Sequence, residues 1–151
     1  MRLWHKDLVL CLLKQQLLGQ WKECRGIASN IASKGSPNHI LVNKILDYPL
    51  GHFYSYGMLV KTEMIRRGYK CDFSKFSKHF QLPESKRYYN VSDIFSEWHN
   101  GRYFKQCYYN LQEKYDCGGL TEEEWRAINK SHSSVDCGDK NKMKEELHIC
   151  Q

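Results

Sequence analysis

Met1, Lys22, Glu23 and Arg25 are the residues whose types could do chemistry together. A chain-terminal α-amine has a reference pKa near 7.7–8.0, against about 10.4 for a lysine side chain. It is therefore the amine most readily present as a neutral nucleophile at neutral pH. A neutral amine beside a sugar C1′ can displace a base and form an imine, as Schiff-base lysines do with carbonyl substrates. A carboxylate held nearby, here Glu23, would stabilise the cationic transition state and assist the proton transfers.

The element that must carry Glu23 is a helix. From Leu8 to Ala32, residues Leu10, Leu13, Leu17, Trp21, Cys24, Ala28 and Ile31 fall on one stripe at 100° per residue, the pattern of a helix packed on a core. Gln16, Gly19, Glu23 and Gly26 share a strip of the opposite face. Glycine costs a helix interior about 0.5–1 kcal/mol relative to alanine. Two glycines beside one carboxylate therefore point to close approach by something bulky, or else to a helix that ends near Gly26.

Further along, Lys34–Asn38 reads as a turn and His39–Leu46 as a short apolar stretch. A second helix is predicted over Phe53–Arg67, with Phe53, Tyr56, Val60 and Met64 inward and Gly68 beyond its end. Cys71–Tyr89 is basic, aromatic and irregular, a long loop with short turns. A short helix is expected around Ile94, Phe95 and Trp98, and a clearer one over Phe104–Tyr115 ending at Gly118-Gly119. Thr121 and Glu124 form a capping box for a last helix to about Lys130. No segment alternates convincingly. The expected fold is all-α, a single compact domain over 1–130 built on the long N-terminal helix, with a polar tail over 131–151.

Four Trp, ten Tyr and six Phe in 151 residues exclude wholesale disorder. The longest apolar run, Leu8–Leu13, is far short of the roughly 20 residues of a spanning helix and lacks a signal-peptide cleavage site. A soluble cytoplasmic protein with no membrane contact is expected. Seven cysteines without a Cys-x-x-Cys pair fit neither a disulfide framework nor a zinc site. The nearest metal candidate, Cys107 and Cys117 with His99, matches no common template, so neither metal nor cofactor is expected. The net charge of +6 is unevenly spread. Residues 1–90 hold 15 Lys/Arg against 6 Asp/Glu, and residues 91–151 hold 8 against 11. A basic first half is a plausible footprint for a polyanion, with Arg2, Lys22, Arg25, Lys34, Arg66 and Arg67 as phosphate contacts and Trp4, Tyr88 and Tyr89 as stacking candidates.

Met1-Arg2-Leu3 and the run Gln15-Gln16-Leu17-Leu18-Gly19-Gln20-Trp21-Lys22-Glu23-Cys24-Arg25 resemble the N-terminal signature of the pyrimidine-dimer DNA glycosylase/AP lyase family of phage endonuclease V type. The similarity continues through His39 and, more loosely, Glu63–Tyr69, about half the chain. It implies an all-helical enzyme acting on damaged double-stranded DNA that kinks the duplex and flips a nucleotide out; separately, a monomer is expected. It further implies an N-terminal amine that attacks C1′ and a helix glutamate needed for the glycosylase and β-elimination steps. Carried over by position, Glu23 matches the catalytic glutamate and Arg2 the arginine after the nucleophile. Lys22 stands where the family has arginine, and Arg25 lies near another basic DNA contact. Gln15 matches a glutamine, while Gln16 replaces a histidine. The family's mature chain starts at threonine. Here Arg2 disfavours trimming of the initiator, so Met1 is expected to supply the amine, with one extra residue between Leu3 and Gln15. The alternative is a non-catalytic basic helical DNA-binding module.

Overall fold

The computed structural model describes residues 1–130, 132 and 133, and these form helices and turns without a strand. All but two residues of the tail expected over 131–151 lie outside the described residues. The chain divides into two compact units, Met1–His99 and a second beginning at Asn100.

In the first unit, helices α1 (Lys14–Lys34) and α2 (Leu50–Arg66) pack on each other. The short α3 (Ser74–Ser77) closes the core against α1. Leu17, Trp21, Cys24, Ile27 and Ala28 of α1 are buried, and so are Phe53, Tyr56, Val60 and Met64 of α2. Phe76 of α3 packs against Phe53 and Trp21 with ring centroids 5.5 and 5.7 Å away. Gly57 is what lets α2 approach so closely, because a Cβ there would run into the Phe76 ring. Gly35 (φ 71°) and Gly68 (φ 77°) adopt the left-handed conformation past the ends of α1 and α2, as helix C-termini favour.

The N-terminal helix differs from its expected span. Lys6–Cys11 is a 3-10 turn, and Leu12 and Leu13 are extended (ψ 140° and 163°) before α1 begins. Arg67 supplies the reason: its guanidinium donates to the carbonyls of Leu10 (2.8 Å) and Leu12 (2.5 Å), taking acceptors that a continuous helix would use. Leu8, Val9 and Leu12 then point into the core while Leu10 is left exposed. The helix expected around Ile94–Trp98 is instead a run of turns, with Phe95 at φ 49°. Lys6, itself buried, donates to the carbonyls of Ser92 (2.5 Å) and Ile94 (2.9 Å) and holds this run in place of helical bonds.

Three buried histidines tie these segments together. His5 accepts the Asp7 N–H at Nδ1 (3.2 Å), His52 that of Phe95 (3.1 Å), and His99 that of Lys6 (3.0 Å). A ring nitrogen that accepts carries no proton, so each imidazole is neutral. Burial is also the main cause holding all three below the ordinary histidine pKa, His99 well below it. The unfolded chain therefore binds more protons than the folded one just under pH 6.5. Stability should be full above about pH 6.5 and decline as pH falls below it. Urea midpoints at pH 5 should lie clearly below those at pH 7.5; equal midpoints would contradict these protonation states.

In the second unit, α4 (Gly101–Asp116) starts at Asn100, whose side chain accepts the Tyr103 N–H (3.0 Å). A fifth helix, α5, runs over 122–130. Its capping box forms as expected: Thr121 N–H donates to Glu124 Oε2 (2.8 Å) and Glu124 N–H to Thr121 Oγ1 (3.3 Å). Tyr108 donates to Asn129 across the pair (2.6 Å), and Tyr115 stacks on Trp125.

Candidate active site

α1 places Glu23 on its outer face because Leu17, Trp21, Cys24 and Ala28 commit the opposite stripe to the core. The first five residues are laid along this helix by backbone hydrogen bonds. The Arg2 N–H donates to Glu23 Oε2 (2.9 Å), and the Trp4 N–H to Gln20 Oε1 (2.8 Å). Rising residue number in the segment meets falling number in the helix, so the two run antiparallel. Leu3 is fully buried between these two anchoring points. The segment cannot fray without exposing that side chain.

The outcome is a close pair: the Met1 amine lies 3.9 Å from Glu23 Oε1, with the Glu23 side chain 33% exposed. The carboxylate is thus anchored through one oxygen and remains accessible beside the amine. The antiparallel course carries Met1 toward the later turns of α1. On an adjoining face of α1, Lys22, Arg25, Gly26 and Ser29 line a cleft of about 490 Å³, walled also by Lys75, Lys78 and His79; Met1, Arg2 and Glu23 are not among its lining residues. Among the described residues no acidic side chain lines it. Arg25 Nε is buried with no hydrogen-bond partner among the described residues.

Gly19 and Gly26 both lie inside a helix that runs on to Lys34, so α1 does not end at Gly26. A Cβ at either position would meet nothing within 4 Å. The polar strip is open outward, and protein packing does not require either glycine. Arg2 uses its backbone for Glu23, while its guanidinium sits over the Trp4 ring at 5.7 Å. Gln15 is exposed and Gln16 half-buried, about two helical turns before Glu23 and without a bond to the pair. The Gln16 side-chain oxygen is buried without a hydrogen-bond partner among the described residues.

Two expected DNA contacts need correcting, Arg67 and Trp4. Arg66 and Arg67 are bound to Glu63, a carboxylate only 1% exposed; Arg66 reaches it at 2.6 Å and Arg67 at 2.5 Å. Arg67, also holding Leu10 and Leu12, is a structural cation and not a phosphate contact. Trp4 is buried and unsuited to stack on a base, whereas Tyr88 is 58% exposed. Tyr89 stacks on His52 at 3.9 Å. Among the described residues no group of three or more His, Cys, Asp or Glu is placed to hold a metal ion. No described helix is long and apolar enough to cross a membrane.

The sequence reading missed Gln20 and Tyr56, which hold the N-terminal segment, and Lys75 and Lys78 in the cleft wall. Gln20 left a usable signal, a polar residue at i+3 from Leu17 and i−4 from Cys24, on the buried stripe. The lysines left none beyond a basic loop.

Residues 1–77, half of the chain, match the family model described as pyrimidine dimer DNA glycosylase, a span that includes Met1, Glu23, the α1 residues of the cleft and all of α3. No match was found among curated proteins or among solved structures. The chain belongs to the pyrimidine dimer DNA glycosylase family and is a DNA-repair glycosylase and AP lyase acting on damaged DNA.

Proposed function

We propose that the Met1 α-amine is the nucleophile and Glu23 the acid–base and electrostatic partner, acting on pyrimidine dimers and abasic sites in duplex DNA. The observation that carries this reading is the 3.9 Å separation of the two groups in a segment bonded to the helix on both sides of Leu3. The unprotonated amine adds to C1′, the N-glycosidic bond breaks, and its electron pair leaves with the base. At an abasic site the same addition to the open-chain aldehyde expels water. In the first case the sugar ring then opens, the C1′–O4′ bond breaking and O4′ taking a proton, so that in both cases C1′ ends as an iminium ion. Removing a C2′ proton then drives β-elimination of the 3′-phosphate, and water releases the imine. Glu23 can accept the amine proton, stabilise the cationic carbon and take up the C2′ proton.

Lys22 and Arg25, joined by Lys75 and Lys78, would hold the strand through its phosphates, with Arg2 beside the reacting sugar. Gln15 and Gln16 are assigned to the approach of the duplex along the first turns of α1, where the open faces of Gly19 and Gly26 leave room for it. Phosphate contacts are sequence-blind and salt-dependent. Replacing both Lys75 and Lys78 by alanine should weaken DNA binding and reduce the slope of log affinity against log salt by about 2. The single-turnover rate on saturated enzyme should stay unchanged. An unaltered salt slope would remove these two residues from the interface.

The test of the function is strand incision of matched duplexes carrying a pyrimidine dimer, an abasic site or neither. Incision of both damaged duplexes and not of the intact one is expected. Binding without incision of either damaged duplex would reduce the protein to a DNA-binding module.

A further inference from the structure

We infer that Gln20, with Tyr56, is a positioning device that sets the register of the N-terminal amine on Glu23; this rests on the reading of Met1 as nucleophile. Gln20 is 1% exposed and Tyr56 fully buried, yet Gln20 Oε1 and the Tyr56 hydroxyl both bond the backbone of one residue of the N-terminal segment, Trp4, while Gln20 Nε2 donates to Cys24 Sγ (3.9 Å). Gln20 Oε1 accepts the Trp4 N–H at 2.8 Å. The Tyr56 hydroxyl donates to the Trp4 carbonyl at 2.7 Å and lies 3.2 Å from Gln20 Oε1. The amide side of Trp4 is thus tied to α1 and its carbonyl to α2. The Trp4 N–H fixes which way the Gln20 amide faces, because only its oxygen can accept.

The consequence follows from chain geometry. Met1 lies three residues before Trp4, and an extended residue spans at most about 3.3–3.6 Å. A slip of the segment by one residue would therefore move the amine by about that distance, comparable with its whole separation from Glu23. The Glu23 bond to Arg2 cannot prevent such a slip alone, since a surface carboxylate can accept any backbone N–H that reaches it. Gln20 and Tyr56 can, being buried, matched to one residue, and drawn from two different helices. Neither is within bonding distance of the amine, so they position and do not take part in the chemistry. An error of about 1 Å in a reacting group can cost on the order of 10²-fold in rate.

The experiment measures single-turnover cleavage of an abasic duplex, DNA affinity and thermal stability for Gln20→Leu, Gln20→Glu and Tyr56→Phe. Gly57→Ala serves as the control. It disturbs α2 next to Tyr56 through the Phe76 ring and touches no part of the N-terminal segment. Gln20→Leu should lose on the order of 10²-fold in rate with KM and DNA affinity unchanged. Tyr56→Phe should lose about tenfold. Gln20→Glu keeps an acceptor oxygen for Trp4 and should recover most of the rate lost in Gln20→Leu. Gly57→Ala should lose stability and keep the wild-type rate. Wild-type rates in both Gln20→Leu and Tyr56→Phe would overturn the proposal, as would an equal rate loss in Gly57→Ala. If Gln20→Leu does not fold, Tyr56→Phe against Gly57→Ala decides. Failure of the wild-type protein to form an adduct through Met1 would instead remove the nucleophile assignment beneath it, so the two failures are distinct.

Discussion

Glu23→Gln is expected to abolish strand cleavage while leaving the protein folded and bound to DNA. Glutamine has the same shape, and its single carbonyl oxygen can still accept the Arg2 N–H that Glu23 Oε2 takes at 2.9 Å. The N-terminal segment therefore keeps its place. What disappears is the charge and basicity at the position of Oε1, 3.9 Å from the amine. An amide cannot remove the amine proton, balance an iminium ion or take up the C2′ proton. Loss of a positioned acid–base group typically costs 10²–10⁴-fold, and lost electrostatic stabilisation adds to it. A fall of at least about 10³-fold in single-turnover cleavage is expected on that basis. DNA affinity should be unchanged or slightly higher, because a negative charge has been removed beside a cleft lined by Lys22 and Arg25. Cleavage rates and binding isotherms on one abasic duplex check both halves. Undiminished cleavage would make Glu23 a bystander.

Blocking the terminus should be as severe. Two residues added ahead of Met1 turn its amine into an amide and move the new amine by up to about 7 Å. That exceeds its present distance from Glu23, and the new amine has no anchor equivalent to the Arg2 and Trp4 bonds. A lysine side chain is a poor substitute, since its reference pKa of about 10.4 leaves it protonated at neutral pH. Cleavage should fall by more than about 10³-fold, given that intramolecular positioning contributes effective molarities of 10⁵ M and above. DNA binding should persist, because the cleft cations sit on α1 and around α3. Proteolytic removal of the two residues should restore the rate. An extended protein that cleaves at the native rate would contradict the assignment.

What the sequence made legible was local. The stripe Leu17, Trp21, Cys24 and Ala28 fixed the face of α1 that carries Glu23, and all four are buried. The Gly68 cap and the Thr121–Glu124 box were also readable, since each is settled within four residues. The start of α1 was not. Leu8–Leu13 continues the helical pattern, and Arg67, more than fifty residues away, diverts two of its carbonyls. The same is true of the run 91–98, held by Lys6. For the site, the pairing of amine and acid could be anticipated from residue chemistry together with the family resemblance. Its supports could not, because Gln20 and Tyr56 meet Trp4 across 16 and 52 residues of chain. Arg67 misled for a related reason: a cation on a helix end looks free until its buried partner, Glu63, is seen.

Borohydride reduction during turnover of an abasic duplex, followed by peptide mapping of the adduct, addresses the nucleophile most directly. Hydride converts the imine carbon to a stable secondary amine, so the attacking nitrogen is marked permanently. A single adduct on the α-amine of Met1 is the expected result. An adduct confined to a lysine side chain, or none from a folded protein that cleaves the same duplex, would contradict it.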